Sequence, residues 1–170
     1  MSPLRFQVPP IPPSDATLTD QLGRVTRLTR FKDQVTAMYF GYTYCPDVCP
    51  TTLSRLAAAR GALGALRARL RVVFVSVDPA RDTPSRLRDY LANFDPSFVG
   101  LTGTQKQIAA IARHYGARYA AEKPEAGDAY TVAHTSYVYL LDRRGTVRYL
   151  FPDDVPLDVL IRGVKALLPS

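Results

Sequence analysis

The chain has 170 residues, 46% of them hydrophobic and 22% charged, and a formal net charge of +7. That length fits one domain with a sizeable core, and the composition is that of an ordinary globular chain. No apolar run reaches the roughly 18 residues needed to cross a bilayer, and the start carries no signal-peptide pattern. The excess charge is almost all arginine, concentrated where Arg55, Arg60, Arg67, Arg69, Arg71, Arg81, Arg86 and Arg88 outnumber Asp78, Asp82 and Asp89. This cluster reads first as a solvated helix face. An acidic partner or an anionic membrane surface is the functional alternative. Nucleic-acid binding is not supported, because no recognition motif and no interleaved aromatics accompany the basic residues.

In chain order, residues 1–16 hold Pro3, Pro9, Pro10, Pro12 and Pro13, an extended tail or linker in which proline blocks helix. Residues 17–26 alternate around Gly23 and predict a small hairpin. Residues 35–40 form the first core strand. From Thr51 to about Arg69 the apolar positions keep a helical period, weakened by Gly61 and Gly64. Residues 72–77 are a continuous apolar strand, as in a sheet covered on both faces. Asp78 to Pro84 is a loop whose Thr83 can cap the next helix, with Pro84 at its first position. Asp78 and Asp82 read as turn and cap chemistry, or else as groups that orient a site or meet a partner.

Residues 98–101 are a short strand, and Thr104 opens a helix closed by Gly116. Residues 121–131 are a polar loop. Residues 136–141 and 146–151 pair as a hairpin, and a last helix runs from about Pro156 to Leu168. This order predicts a three-layer α/β domain over 17–170, with a mixed central sheet and no further domain boundary.

Cys45 and Cys49 are the only cysteines, four residues apart at a strand-to-helix turn. In a helical turn that spacing puts both side chains on one face. The separation is also within reach of a disulfide, so the pair can close a bond or clamp a soft metal. Unpaired N–H groups at a helix start stabilise a thiolate. Thiolates select copper(I) or zinc, but two do not complete a site. The only histidines are His114 and His134. His114 lies in a helical stretch and reads as structural. His134 ends a loop entering a strand, a common ligand position. Two cysteines and one histidine are too few for a closed structural zinc site and suit copper.

The run Tyr39-Phe40-Gly41-Tyr42-Thr43-Tyr44-Cys45-Pro46-Asp47-Val48-Cys49-Pro50 resembles the signature of the Sco/SenC family of copper proteins of cytochrome c oxidase assembly. Phe74-Val75-Ser76-Val77-Asp78-Pro79-Ala80-Arg81-Asp82-Thr83-Pro84 is similar to its second motif. Phe94-Asp95-Pro96 with Gly100-Leu101-Thr102-Gly103, Tyr130-Thr131-Val132-Ala133-His134-Thr135-Ser136 and Leu150-Phe151-Pro152 complete the pattern in order.

The resemblance implies a thioredoxin-like fold with an extra N-terminal β-hairpin and a β-hairpin insertion. It implies one copper ion, Cu(I) or Cu(II), held by Cys45, Cys49 and His134. The implied task is delivering copper to, or reducing the thiols of, the CuA centre on oxidase subunit II. The implied partners are that CuA domain and another periplasmic copper chaperone, with no nucleic acid. The implied place is the outer face of the cytoplasmic membrane, held by an N-terminal anchor, with residues 1–16 as the stalk. Two positions depart from the family pattern. Tyr44 stands where histidine is frequent, and Ala133 where an aspartate could orient the His134 ring.

A second class of function uses the same cysteines as a thiol-disulfide oxidoreductase, with one nucleophilic and one resolving thiol. The spacer of three residues, against two in thioredoxins, argues against an ordinary thioredoxin. A peroxidase of peroxiredoxin type is a third class, and rapid peroxide consumption with a Cys45 sulfenate is its signature.

Overall fold

The structure is a computed structural model and describes residues 1–122 and 131–169. Its strands are β1 (Gln7–Ile11), β2 (Thr17–Asp20), β3 (Val25–Arg27), β4 (Val35–Gly41), β5 (Leu70–Ser76), β6 (Val99–Thr102), β7 (Tyr119–Glu122), β8 (Thr131–His134), β9 (Tyr137–Leu141) and β10 (Val147–Pro152). The helices are α1 (Val48–Ala62), α2 (Pro84–Leu91), α3 (Gln105–Tyr115) and α4 (Leu157–Leu167).

Eight strands make one mixed sheet in the order β1-β10-β9-β4-β5-β6-β2-β3. The centre, β4-β5-β6, is parallel, and antiparallel pairs extend it on both sides. Every residue of β4 is buried, as a strand covered on both faces requires. Alternation along β4 fixes the layers. Tyr39 and Gly41 face α1, whose Cys49 lies against Gly41. Phe40 faces the other way, against Tyr115 at the end of α3. On the α1 face, Gly100 of β6 sits under Leu87 and Leu91 of α2, and Gly163 of α4 sits on Phe151 and Leu140. The α1, α2 and α4 helices therefore cover one face and α3 the other, the expected three layers.

Local signals set several boundaries as the sequence predicts. Thr83 Oγ1 accepts from the Arg86 amide at 3.2 Å with Pro84 first in α2. Thr104 and Gln107 form a capping box for α3, and Gly116 ends it at φ 72°.

Three expectations are corrected. The long helix over 51–69 is shorter and earlier. It starts at Val48, with Pro50 harmless in a first turn whose N–H groups have no intrahelical acceptor. It stops at Ala62, because Gly64 turns the chain at φ 56° into a 3-10 stretch to Arg69. The polar loop over 121–131 is flanked by pairing, since β7 and β8 form a separate two-stranded ribbon. Residues 123–130 of that loop lie outside the described residues. The proline-rich tail is not extended throughout, since Pro3–Phe6 form a 3-10 turn, and Gln7–Ile11 pairs with β10 as the edge strand. Proline is tolerated there because one side of an edge strand needs no donor. Phe6 packs on Phe151 with ring centroids 5.3 Å apart, and His114 Nε2 donates to the Pro12 carbonyl at 2.7 Å. Among the described residues, no helix is long and apolar enough to cross a membrane.

Candidate metal centre

The chain leaves β4 at Gly41 and turns through Tyr42, Thr43 and Tyr44 before α1. Cys45 stands in this turn and Cys49 in the first turn of α1. A side chain at position 41 is excluded by close approach. A Cβ there would lie 2.9 Å from Cys49 Sγ and 2.8 Å from the Phe74 ring. Glycine lets the cysteine turn fold down onto the sheet, so Cys49 is 0% exposed and Cys45 only 9%.

The turn is held from below by Asp82. This fully buried carboxylate accepts from Thr43 Oγ1 at 2.6 Å, from the Thr43 amide at 3.0 Å and from Ser76 Oγ at 2.7 Å. Burial pushes the Asp82 carboxyl up, and the hydrogen bonds from Thr43 and Ser76 work against that. Arg86 Nε donates to Thr43 Oγ1 at 3.0 Å, and Arg81 pairs with Asp78 at 2.5 Å. The loop after β5 thus does more than turn and cap the chain: it braces the cysteine turn across 39 residues of sequence.

His134 ends β8, on the ribbon outside the main sheet. Its Nε2 lies 3.4 Å from Cys49 Sγ, although the two residues are 85 apart in sequence. Its Nδ1 donates to the Thr135 carbonyl at 3.2 Å. A carbonyl only accepts, so Nδ1 carries a proton, and Nε2 is the ring nitrogen that faces the sulfurs. Tyr39 and Tyr42 set their rings edge-on to the imidazole, with centroids 6.0 and 5.7 Å away. Thr135 locks the strand end to Arg118 through its amide at 2.8 Å and its side chain.

The Thr135 carbonyl therefore fills the orienting role that the missing aspartate suggested. Ala133 is exposed while Val132 is buried. Neighbours on a strand point to opposite faces, so a carboxylate at 133 would project away from the imidazole. Tyr44 is 48% exposed, its ring between the guanidinium groups of Arg81 and Arg86 at 4.6 and 4.4 Å.

The ligand atoms of Cys45, Cys49 and His134 all lie within 4.8 Å of one another, the one such cluster among the described residues. Both cysteines are free thiols, and they share one proton unequally. The hydrogen bond from Cys49, then one from His134 and those of the Cys49 and Asp47 amides, hold the Cys45 thiol far below its ordinary value despite burial. Its hydrogen bond to Cys45 and deep burial push the Cys49 thiol up, with Tyr39 Oη 3.8 Å from its sulfur. One thiolate, one thiol and one imidazole nitrogen make a soft set of three candidate donors. It is short of the four ligands of a structural zinc site and suited to copper.

The sequence singled out all three donors, and the fold brings them together. His114 is exposed and serves to fix the N-terminal segment. Sequence reasoning missed two contributions, Gly41, whose need appears only once α1 is packed, and Tyr39 beneath Cys49; it offered Asp82 as a group that orients a site, and the structure adds its partner, Thr43.

The sequence model of the SCO1/SenC family matches residues 14–169. A SCO2-like protein of Rickettsia felis is 34% identical over 148 residues, covering 86% of this chain and 72% of the relative. Copper-bound ScoI of Bradyrhizobium japonicum superposes with a TM-score of 0.84 at 35% identity, covering 92% of this chain and 99% of that one. Apo Sco1 of Thermus thermophilus gives 0.87 at 34% identity, covering 99% and 98%. With this fold, these motifs and this extent of match, the chain belongs to the SCO1/SenC family.

Proposed function

We propose that this protein is a copper-binding assembly factor in which Cys45, Cys49 and His134 hold one copper ion for transfer to the CuA site of cytochrome c oxidase subunit II. The observation that carries this reading is the convergence of two sulfurs and one imidazole nitrogen within 4.8 Å. The copper-bound ScoI relative supports the choice of metal. The family likeness supports oxidase assembly as the task and the outer face of the cytoplasmic membrane, through an N-terminal anchor, as the place. Copper is cargo here. Ligands of the acceptor replace Cys45, Cys49 and His134 one at a time, and a three-donor site leaves room for an incoming ligand.

The deciding experiment mixes copper-loaded protein with the apo CuA domain and follows copper and thiol state on both. Copper appearing on the acceptor with both thiols of the donor left reduced is the expected result. Copper retained by the donor in the presence of a fully reduced acceptor overturns delivery. His134→Ala should still fold and should lose most Cu(II) affinity. An unchanged copper stoichiometry and spectrum would remove His134 from the ligand set.

A second reading is favoured by the asymmetry of the pair, with Cys45 a partly accessible thiolate and Cys49 a fully buried thiol. That is the arrangement of a nucleophile and its resolving partner. Cys45 would attack a disulfide of the CuA site, and Cys49 would release the mixed disulfide. The partner gains two electrons and two protons, and Cys45–Cys49 becomes the disulfide. Reduced metal-free protein mixed with oxidised CuA domain tests it: acceptor thiols that never appear exclude this role.

A further inference from the structure

A second polar concentration lies away from the cysteines, where β5 and β6 begin. Arg71 is the second residue of β5, and Ser76 at its other end braces the cysteine turn. Five steps along the strand separate them by about 17 Å. A cleft of about 270 Å³ opens there, lined by Arg24, Arg30, Arg71, Asp20, Gln34 and Ser97 among others.

Its charges do not balance. Asp20 is the only carboxylate among its lining residues, and it is already engaged. One oxygen accepts from the Leu22 and Arg24 amides at 2.9 Å, and the other from Arg24 Nε at 3.0 Å. Arg30 comes no closer to it than 3.9 Å. Half-buried Arg71 uses Nη1 on the Ser97 carbonyl at 3.0 Å and Nε on Gln34 Oε1 at 3.4 Å. Among the described residues no carboxylate reaches Arg71 within ion-pair distance. Nearby Arg60 is neutralised by Asp95 at 3.1 Å. Burial, then the charges of Arg60 and Arg30, push the Arg71 guanidinium down.

Three guanidinium groups thus face one cleft against a single, already saturated carboxylate. Two of them, on Arg24 and Arg30, have side chains more than half exposed, with Arg24 tied to Asp20 through Nε and Arg30 only loosely near it. Guanidinium forks match phosphate oxygens in geometry and in charge.

We propose that the cleft between Arg24, Arg30 and Arg71 is a binding site for a phosphate group, independent of the cysteine site. Soluble phosphate and the headgroup of an anionic phospholipid present the same chemistry. Arg71, held by two neutral acceptors, is the fixed element, and Arg30 and Arg24 are the movable ones.

The test titrates the whole chain with inorganic phosphate at constant ionic strength, chloride replacing it in the control. Backbone amide shifts of residues 20–34, 71 and 97–99 are followed by NMR. A parallel arm measures co-sedimentation with phosphatidylglycerol vesicles against phosphatidylcholine vesicles. Saturable shifts confined to those residues, weakened at least tenfold in Arg71→Gln and in the double variant Arg24→Ser/Arg30→Ser, are the expected result. Saturation by inorganic phosphate names a soluble ligand. Arginine-dependent preference for the anionic vesicles without it names a lipid. Should Arg71→Gln fail to fold, the exposed double variant decides alone. No saturable shift together with no vesicle preference, or binding unchanged in the double variant, overturns the proposal. Copper titration of the variants serves as the control for separateness: a changed copper spectrum would also overturn an independent site.

Discussion

The cysteine half and the histidine half of the candidate metal centre are held by different kinds of structure. Cys45 and Cys49 sit on a turn welded into the main sheet. Gly41 lets that turn touch the strand, and Asp82 bonds it to the loop after the neighbouring strand. His134 arrives on a separate two-stranded ribbon, oriented by one backbone carbonyl and two tyrosine edges. The difference teaches that the sulfur donors are part of the core, while the nitrogen donor is an attachment to it. Disturbing the first half should cost stability and site together. Disturbing the second should cost the site alone.

The largest effect is expected at Gly41. Gly41→Val forces β-branched atoms into the space of Cys49 Sγ and the Phe74 ring, and overpacking of this kind costs about 3 kcal/mol. Denaturant unfolding should show that loss with copper stoichiometry falling in parallel. Retention of both would break the claim that the turn depends on this contact. Asp82→Asn comes next. An amide offers one acceptor oxygen where the carboxylate offers two, leaving a buried hydroxyl or amide of the Thr43–Ser76 group unmatched at a cost of about 2 kcal/mol. Its copper affinity should fall as well, read by competition with a chelator.

His134→Ala should cost about 1 kcal/mol, the low end of the scale for two edge-on ring contacts. Unfolding midpoints close to those of the parent, beside a lost Cu(II) spectrum, would sharpen the comparison. A collapse in stability would show the ribbon to be part of the core after all.

The smallest effect lies far from the centre. Burial pushes the Asp20 carboxyl up, but the Arg24 and Leu22 amides and the Arg24 guanidinium more than offset this, so its pKa ends below the ordinary 3.8. Stability from this group is present above the unfolded value and is lost as pH falls through the lower folded one. Asp20→Asn should therefore flatten the decline in stability at pH values below about 4, measured as midpoint against pH. An unaltered acid profile would remove Asp20 from the account.

Much of the fold was legible because its signals are local. The apolar runs of β4 and β5, the Thr83 and Thr104 caps and the Gly116 stop each act within a few residues. Two of the misread parts depended on distant partners. The Pro9–Pro10 segment became a strand only because β10 offered an edge. The strands around the polar loop formed because Tyr119 and His134 pair across it. Nor does the motif around His134 display that strand alternation sends the side chains of 133 and 134 to opposite faces.

By itself the sequence determined the strands and helices of the central layers, the family, and the chemical types of the three candidate donors. Hydrophobic period, caps and motif residues all act over a single turn or strand. Tertiary structure alone decided that a histidine 85 residues from Cys49 reaches 3.4 Å from its sulfur. It also decided that a buried aspartate braces the cysteine turn, and that three arginines share one cleft. Those placements follow from how the layers close on one another, and closure over tens of residues leaves no periodic trace in the chain.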